Sequence, residues 1–117
     1  MDRFTPCTVL CSRGRVVVGL ASDHALFLRV ITAEADQRFV MPAHNARRVR
    51  LALLGVMGGS ITMLFPAGRL SLGGIGPDIW LHYRPAGGGS LVTVAITAEN
   101  AAILAAWIGA RFLDPQE

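Results

Sequence analysis

Few groups in this chain could do chemistry, and most lack the neighbours that chemistry requires. Cys7 and Cys11 form one Cys-x3-Cys pair, with no second pair and no nearby histidine to complete a zinc set. They read as two reduced thiols of a cytosolic protein. The carboxylates are not arranged for paired acid and base work: Glu34 and Asp36 fall in a turn, and Asp23 and Asp78 fall at equivalent turns where an Asx-turn accounts for them. His24, His44 and His82 could each take a proton, but they have no metal spacing, and no serine or cysteine stands in a nucleophile elbow. The glycine runs at 73–76 and 87–89 match phosphate loops in composition only, because neither leads directly into a helix. The chain reads as non-catalytic, with no metal and no cofactor.

What remains is arginine. All 11 basic residues are arginine and the net charge is +3. Guanidinium forks suit phosphates and stack on flat rings, although a GC-rich coding sequence produces the same bias. A mild excess of this kind permits a polyanionic partner without demanding one. The stretch SRGRVVVG, residues 12–19, looks like part of an arginine-glycine tract, and a second copy of it decides how it is read.

The chain repeats itself. TVLCSRGRVVVG from Thr8 and TMLFPAGRLSLG from Thr62 share Thr8/Thr62, Leu10/Leu64, Gly14/Gly68, Arg15/Arg69 and Gly19/Gly73 at an offset of 54. With one inserted residue the offset becomes 55, and Asp23/Asp78, Leu26/Leu81, Arg29/Arg84, Ala43/Ala98, Asn45/Asn100 and Ala46/Ala101 follow. These are eleven identities in order, against about four expected from the composition. In PAGRLSLG, Ala67 replaces Arg13, so the shared glycine marks a hairpin turn and the outward arginines Arg15 and Arg69 are what is kept.

Hydrophobic periodicity changes from 2 to 3.6 at the same place in both copies. The first predicts strands near 7–12, 15–21, 25–32 and 37–41, then a helix from Pro42 to Met57 with Pro42 in its first turn. The second predicts strands near 60–65, 69–74, 78–84 and 91–96, then a helix from Ala98 to Phe112 capped by Thr97. The expectation is an α+β fold of two ββββα repeats, about 7–57 and 60–113, related by a pseudo-twofold within one domain spanning 1–117. Its curved antiparallel sheets carry the helices on one side. The uncharged run Leu51–Gly68 reads as a helix end, a turn and a strand, not a membrane span. No signal peptide is visible, which suits a cytoplasmic protein.

Alternation assigns the sheet faces. Val16, Val18, His24, Leu26, Leu28, Phe39 and Met41 should meet the helices in the first copy, as should Leu70, Leu72, Ile79, Leu81, Tyr83, Val94 and Ile96 in the second. The opposite faces carry Arg15, Arg29, Arg38, Arg69 and Arg84 among Phe27, Trp80 and His82. That combination could hold phosphates while bases stack on rings. The alternative is that the rings are covered by protein and the arginines rim them.

The first helix has Ala46, Val49, Leu53, Val56 and Met57 on one stripe and His44, Arg47 and Arg48 opposite. The second has Ala101, Leu104, Ala105, Ile108 and Phe112 inward, while Ala102, Ala106, Gly109 and Ala110 leave its far side flat and apolar. Another helix could approach those small residues closely, either the pseudo-symmetric mate or a second subunit. With 52% apolar and 16% charged residues, disorder is excluded and a homo-oligomer, dimer or tetramer, is expected.

Twice-repeated β-β-β-β-α order in about 110 residues resembles the Whirly and Pur-alpha group. The resemblance is one of architecture, spans the whole chain and rests on no shared motif. It implies a pseudo-dimer whose sheets bind single-stranded DNA or RNA. An oligomeric protein-interaction or scaffold domain is the competing reading. A pleckstrin-like barrel closed by a helix containing Trp107 is another, but it has no place for a helix at 42–57.

Overall fold

The computed structural model describes residues 5–55, 60–75 and 77–112. Its order is β1 (Cys7–Cys11), β2 (Gly14–Ser22), β3 (Ala25–Thr32), β4 (Asp36–Pro42), α1 (Ala43–Leu53), β5 (Ser60–Phe65), β6 (Gly68–Ile75), β7 (Asp78–Pro85), β8 (Val92–Thr97) and α2 (Ala98–Arg111). The fold is α+β. Two antiparallel four-stranded sheets, β1-β2-β3-β4 and β5-β6-β7-β8, are each followed by a helix.

The alternation of apolar residues puts one face of each sheet into a common core. Val16, Val18, Leu26, Leu28, Phe39 and Met41 of the first sheet are buried, together with Leu70, Leu72, Ile79, Leu81, Tyr83, Val94 and Ile96 of the second. His24 is the exception: it sits exposed in the Asp23–His24 turn, where its N–H donates to Ser22 Oγ at 3.3 Å. Strand parity therefore does not reach it.

Both helices pack against both sheets and against each other. Phe39 of β4 joins the halves directly, its ring centroid 5.1 Å from Phe65 and 5.0 Å from Tyr83. On the opposite seam, Ser12 N–H donates to the Ala95 carbonyl and Ala95 N–H donates to Ser12 Oγ, both at 2.9 Å. The Asn100 side-chain amide donates to the Leu10 carbonyl at 3.0 Å.

α1 stops at Leu53, earlier than periodicity suggests. Leu54 N–H donates to Arg50 O, and Gly55 takes φ 72°, the left-handed conformation that ends a helix. Val56 and Met57 of the expected stripe lie outside the described residues, as does Gly76 of the glycine run at 73–76. Pro42 is the N-cap of α1 and not its first helical residue, and it also pairs with Ala25 as the last residue of β4. Thr97 caps α2 as expected, accepting from Asn100 N–H at 3.2 Å.

The shared hairpin glycines follow their turns rather than form them. Ser12-Arg13 and Pro66-Ala67 are the turns, while Gly14 and Gly68 are the first paired residues beyond them. A Cβ on Gly14 would lie 1.9 Å from Ile31 O, and one on Gly68 would lie 2.2 Å from Arg84 O. Close approach of the third strand's backbone excludes any side chain there.

Candidate nucleic-acid interface

Because the inward face of each strand is buried in the core, the residues of the other parity line up in cross-strand rows on the outer face. In the first sheet Gly19, Phe27 and Val40 form one row, Val17, Arg29 and Arg38 the next, and Arg15, Ile31 and Asp36 the third. In the second sheet the rows are Gly73, Trp80 and Ala95, then Ser71, His82 and Thr93, then Arg69 and Arg84. Successive rows are about 6.7 Å apart along the strand.

The rows correct the repeat alignment. Gly19 faces Phe27 as Gly73 faces Trp80, so the ladder position of Phe27 is that of Trp80, and Arg29 corresponds to His82, not to Arg84. One more residue separates Leu20 from Leu26 than separates Gly74 from Ile79. The β7–β8 connection, Ala86 to Leu91, is then longer than its counterpart and shifts the offset to 55 by β8. Arg15 and Arg69 keep matching ladder positions, opposite Leu10 and Leu64.

On the first sheet the polar groups satisfy one another. Arg29 donates to Asp36 through Nε at 2.7 Å and through Nη2, a bidentate pair. These hydrogen bonds hold the Asp36 carboxyl below the usual carboxylate range and raise the Arg29 guanidinium further. Arg15 adds a weaker pull on Asp36. Arg13 pairs with Glu34 at 3.3 Å. The guanidinium carbon of Arg38 lies 4.5 Å from the centroid of Phe27, whose ring in turn lies across Gly19 where a Cβ would come within 2.3 Å of it. Phe27, Arg29, Asp36 and Arg38 line a shallow hollow.

The second sheet differs. Arg69 and Arg84 face each other across β6 and β7, both exposed, and among the described residues neither has a carboxylate partner. Trp80 and His82 are half-buried with their planes within 9° and centroids 6.3 Å apart. His82 Nδ1 is held 2.9 Å from Thr93 Oγ1, and Thr62 Oγ1 is 3.0 Å from Ser71 Oγ.

Sequence reasoning placed Asp36 in a turn and so missed its role. The signal was present: seven residues separate it from Arg29, the distance across a short hairpin between residues two rungs apart. Leu10 and Leu64, 70% and 77% exposed beside Arg15 and Arg69, were also missed as outer-face residues.

The helix residues separate into two sets. Ala102, Ala106 and Ala110 are exposed on α2 with Ile103, but Gly109 is buried inside the chain, its missing Cβ position 2.8 Å from Arg50 Nε. Gly109 therefore serves the contact with α1 and is not open to a second subunit.

Elsewhere the chemistry is sparse. No polar or charged residue is buried among the described residues, and no three of their His, Cys, Asp and Glu side chains converge as a metal set. Burial pushes the Cys7 thiol up, with Arg111 opposing. None of the described helices is long and apolar enough to cross a membrane. No known family's profile matches this chain, and no curated protein is detectably similar to it.

Proposed function

We propose that this is a non-catalytic protein that binds single-stranded nucleic acid on its outer sheet faces, with two ββββα units arranged about a pseudo-twofold. The observation that carries the reading is the placement of arginines one or two rungs from flat, half-exposed rings: Arg38 and Arg29 beside Phe27, and Arg84 and Arg69 beyond His82 and Trp80. Guanidinium groups beside stacking surfaces suit a flexible strand whose bases are free to turn outward. The recurrence of an aromatic opposite a glycine in both sheets supports the duplication.

Fluorescence anisotropy with a fluorescein-labelled single strand, and with the matching duplex, tests this across a salt series. The single strand should bind at low salt, weaken as salt rises and outcompete the duplex. Absence of binding at low salt refutes the reading.

A second reading, a homo-oligomeric interaction domain, draws on the exposed apolar side of α2 at Ala102, Ile103, Ala106 and Ala110. Light scattering tests it, and a monomeric mass refutes it.

A further inference from the structure

We propose that the two outer faces are not equivalent, and that the nucleic acid is held by the second sheet alone: a backbone phosphate between Arg69 and Arg84, and a base on the platform of Trp80 and His82. This placement rests on the nucleic-acid reading above and goes beyond it. On β7 the residues Trp80, His82 and Arg84 stand on one face at every second position, so ring, imidazole and guanidinium form a line about 13 Å long. The corresponding line on β3 is Phe27, Arg29 and Ile31. Ile31 offers no charge where Arg84 does.

Net charge does not separate the faces. What separates them is whether the charges are already answered. Glu34 and Asp36, at the β3–β4 hairpin, take up Arg13 and Arg29, and Arg38 lies over Phe27, so that of the arginines on this face Arg15 alone has neither contact among the described residues. At the corresponding places of the β7–β8 connection stand Gly89 and Leu91, which answer nothing. Arg69 and Arg84 are thus directly cross-strand like charges without a carboxylate partner among the described residues, an arrangement that costs stability in the free protein. A phosphate between them converts the repulsion into two charge-assisted contacts. One rung away, the hydrogen bond to Thr93 keeps the His82 ring parallel to Trp80, and the paired hydroxyls of Thr62 and Ser71 leave no cation to compete. The site is a phosphate clamp ending in a stacking platform.

Anisotropy with fluorescein-labelled dodecathymidine on the full chain reads the difference. Arg69→Ala with Arg84→Ala should weaken binding about tenfold and reduce the salt slope by about 1, because two cations leave the phosphate contact. Trp80→Leu should weaken it about tenfold with the slope unchanged. Arg15→Ala with Arg38→Ala should cost less than about threefold, and Asp36→Asn, on the face that holds no nucleic acid, should likewise stay within about threefold of the native affinity. Far-UV circular dichroism of each variant shows that the sheets are intact, as expected for substitutions on the outer faces. Equal losses from the two arginine pairs would overturn the placement while leaving the nucleic-acid reading standing. Failure of the native protein to bind at any salt would remove both.

Discussion

Phe39→Ala tests whether the two sheets share one core. Phe39 is 1% exposed and is the ring through which β4 meets Phe65 of β5 and Tyr83 of β7. Removing a buried phenyl costs lost transfer free energy plus an unfilled cavity, and here two tilted aromatic contacts as well. Together these come to about 4 kcal/mol, a large part of the stability of an ordinary domain. For a chain of this length that corresponds to a fall in Tm of about 15 °C. Phe39→Leu, which keeps most of the volume, should lose only about 1 kcal/mol.

Urea unfolding would be followed by circular dichroism, which sees both sheets, and by tryptophan fluorescence. Trp80 and Trp107 both lie in the second half of the chain, in β7 and α2. A substitution in β4 must therefore move the fluorescence midpoint as far as the dichroism midpoint if folding is one transition. A loss below about 1.5 kcal/mol would refute the bridging role of Phe39. A fluorescence midpoint that stays put while the dichroism midpoint falls would refute the shared core.

Other expectations follow from local geometry. Gly68→Ala combines φ 149° with a Cβ 2.2 Å from Arg84 O, so it should cost about 3 kcal/mol in thermal unfolding, whereas Gly55→Ala, with open space around it, should cost only its backbone strain, about 1 kcal/mol. Thr97→Ala removes the hydroxyl that caps α2 and should lose about 1 kcal/mol, a difference that urea titration resolves. Arg84→Glu places opposite charges across β6 and β7 and should raise Tm by a degree or more while single-strand binding falls; a lower Tm would show that the arginine pair is not repulsive. For Asp36, whose carboxyl is held low by Arg29, the ion pair should open at a lower pH than that at which an unpaired aspartate takes up its proton. Its small contribution to stability is fully present above the unfolded-state pKa and disappears as pH falls through the lower folded value. Carboxyl NMR titration should show this low midpoint, returning to normal in Arg29→Ala.

Much of the fold is legible in one dimension because alternation is a local property. Val16, Val18, Leu26 and Leu28 at every second position dictate which face of the first sheet is buried, and Ala101, Leu104, Ala105 and Ile108 dictate the buried stripe of α2. The outward placement of Arg15, Arg29, Arg38, Arg69 and Arg84 follows from the same parity, and so does that of Phe27, Trp80 and His82. His24 escapes the rule because it is in a turn, where the period of 2 no longer applies.

Register, in contrast, is a relation between strands, and identities along the chain do not measure it. The sequence by itself determined the order of strands and helices, the buried faces and the list of outward cations, since each depends on the spacing of neighbours along one strand or helix. Only the tertiary structure decided which of those cations are free. Cross-strand pairing puts Asp36 within reach of Arg29 and sets Arg69 opposite Arg84, and helix packing seals Gly109 beneath Arg50, because these contacts join residues whose separation is set by hairpin length and helix packing, not by sequence distance.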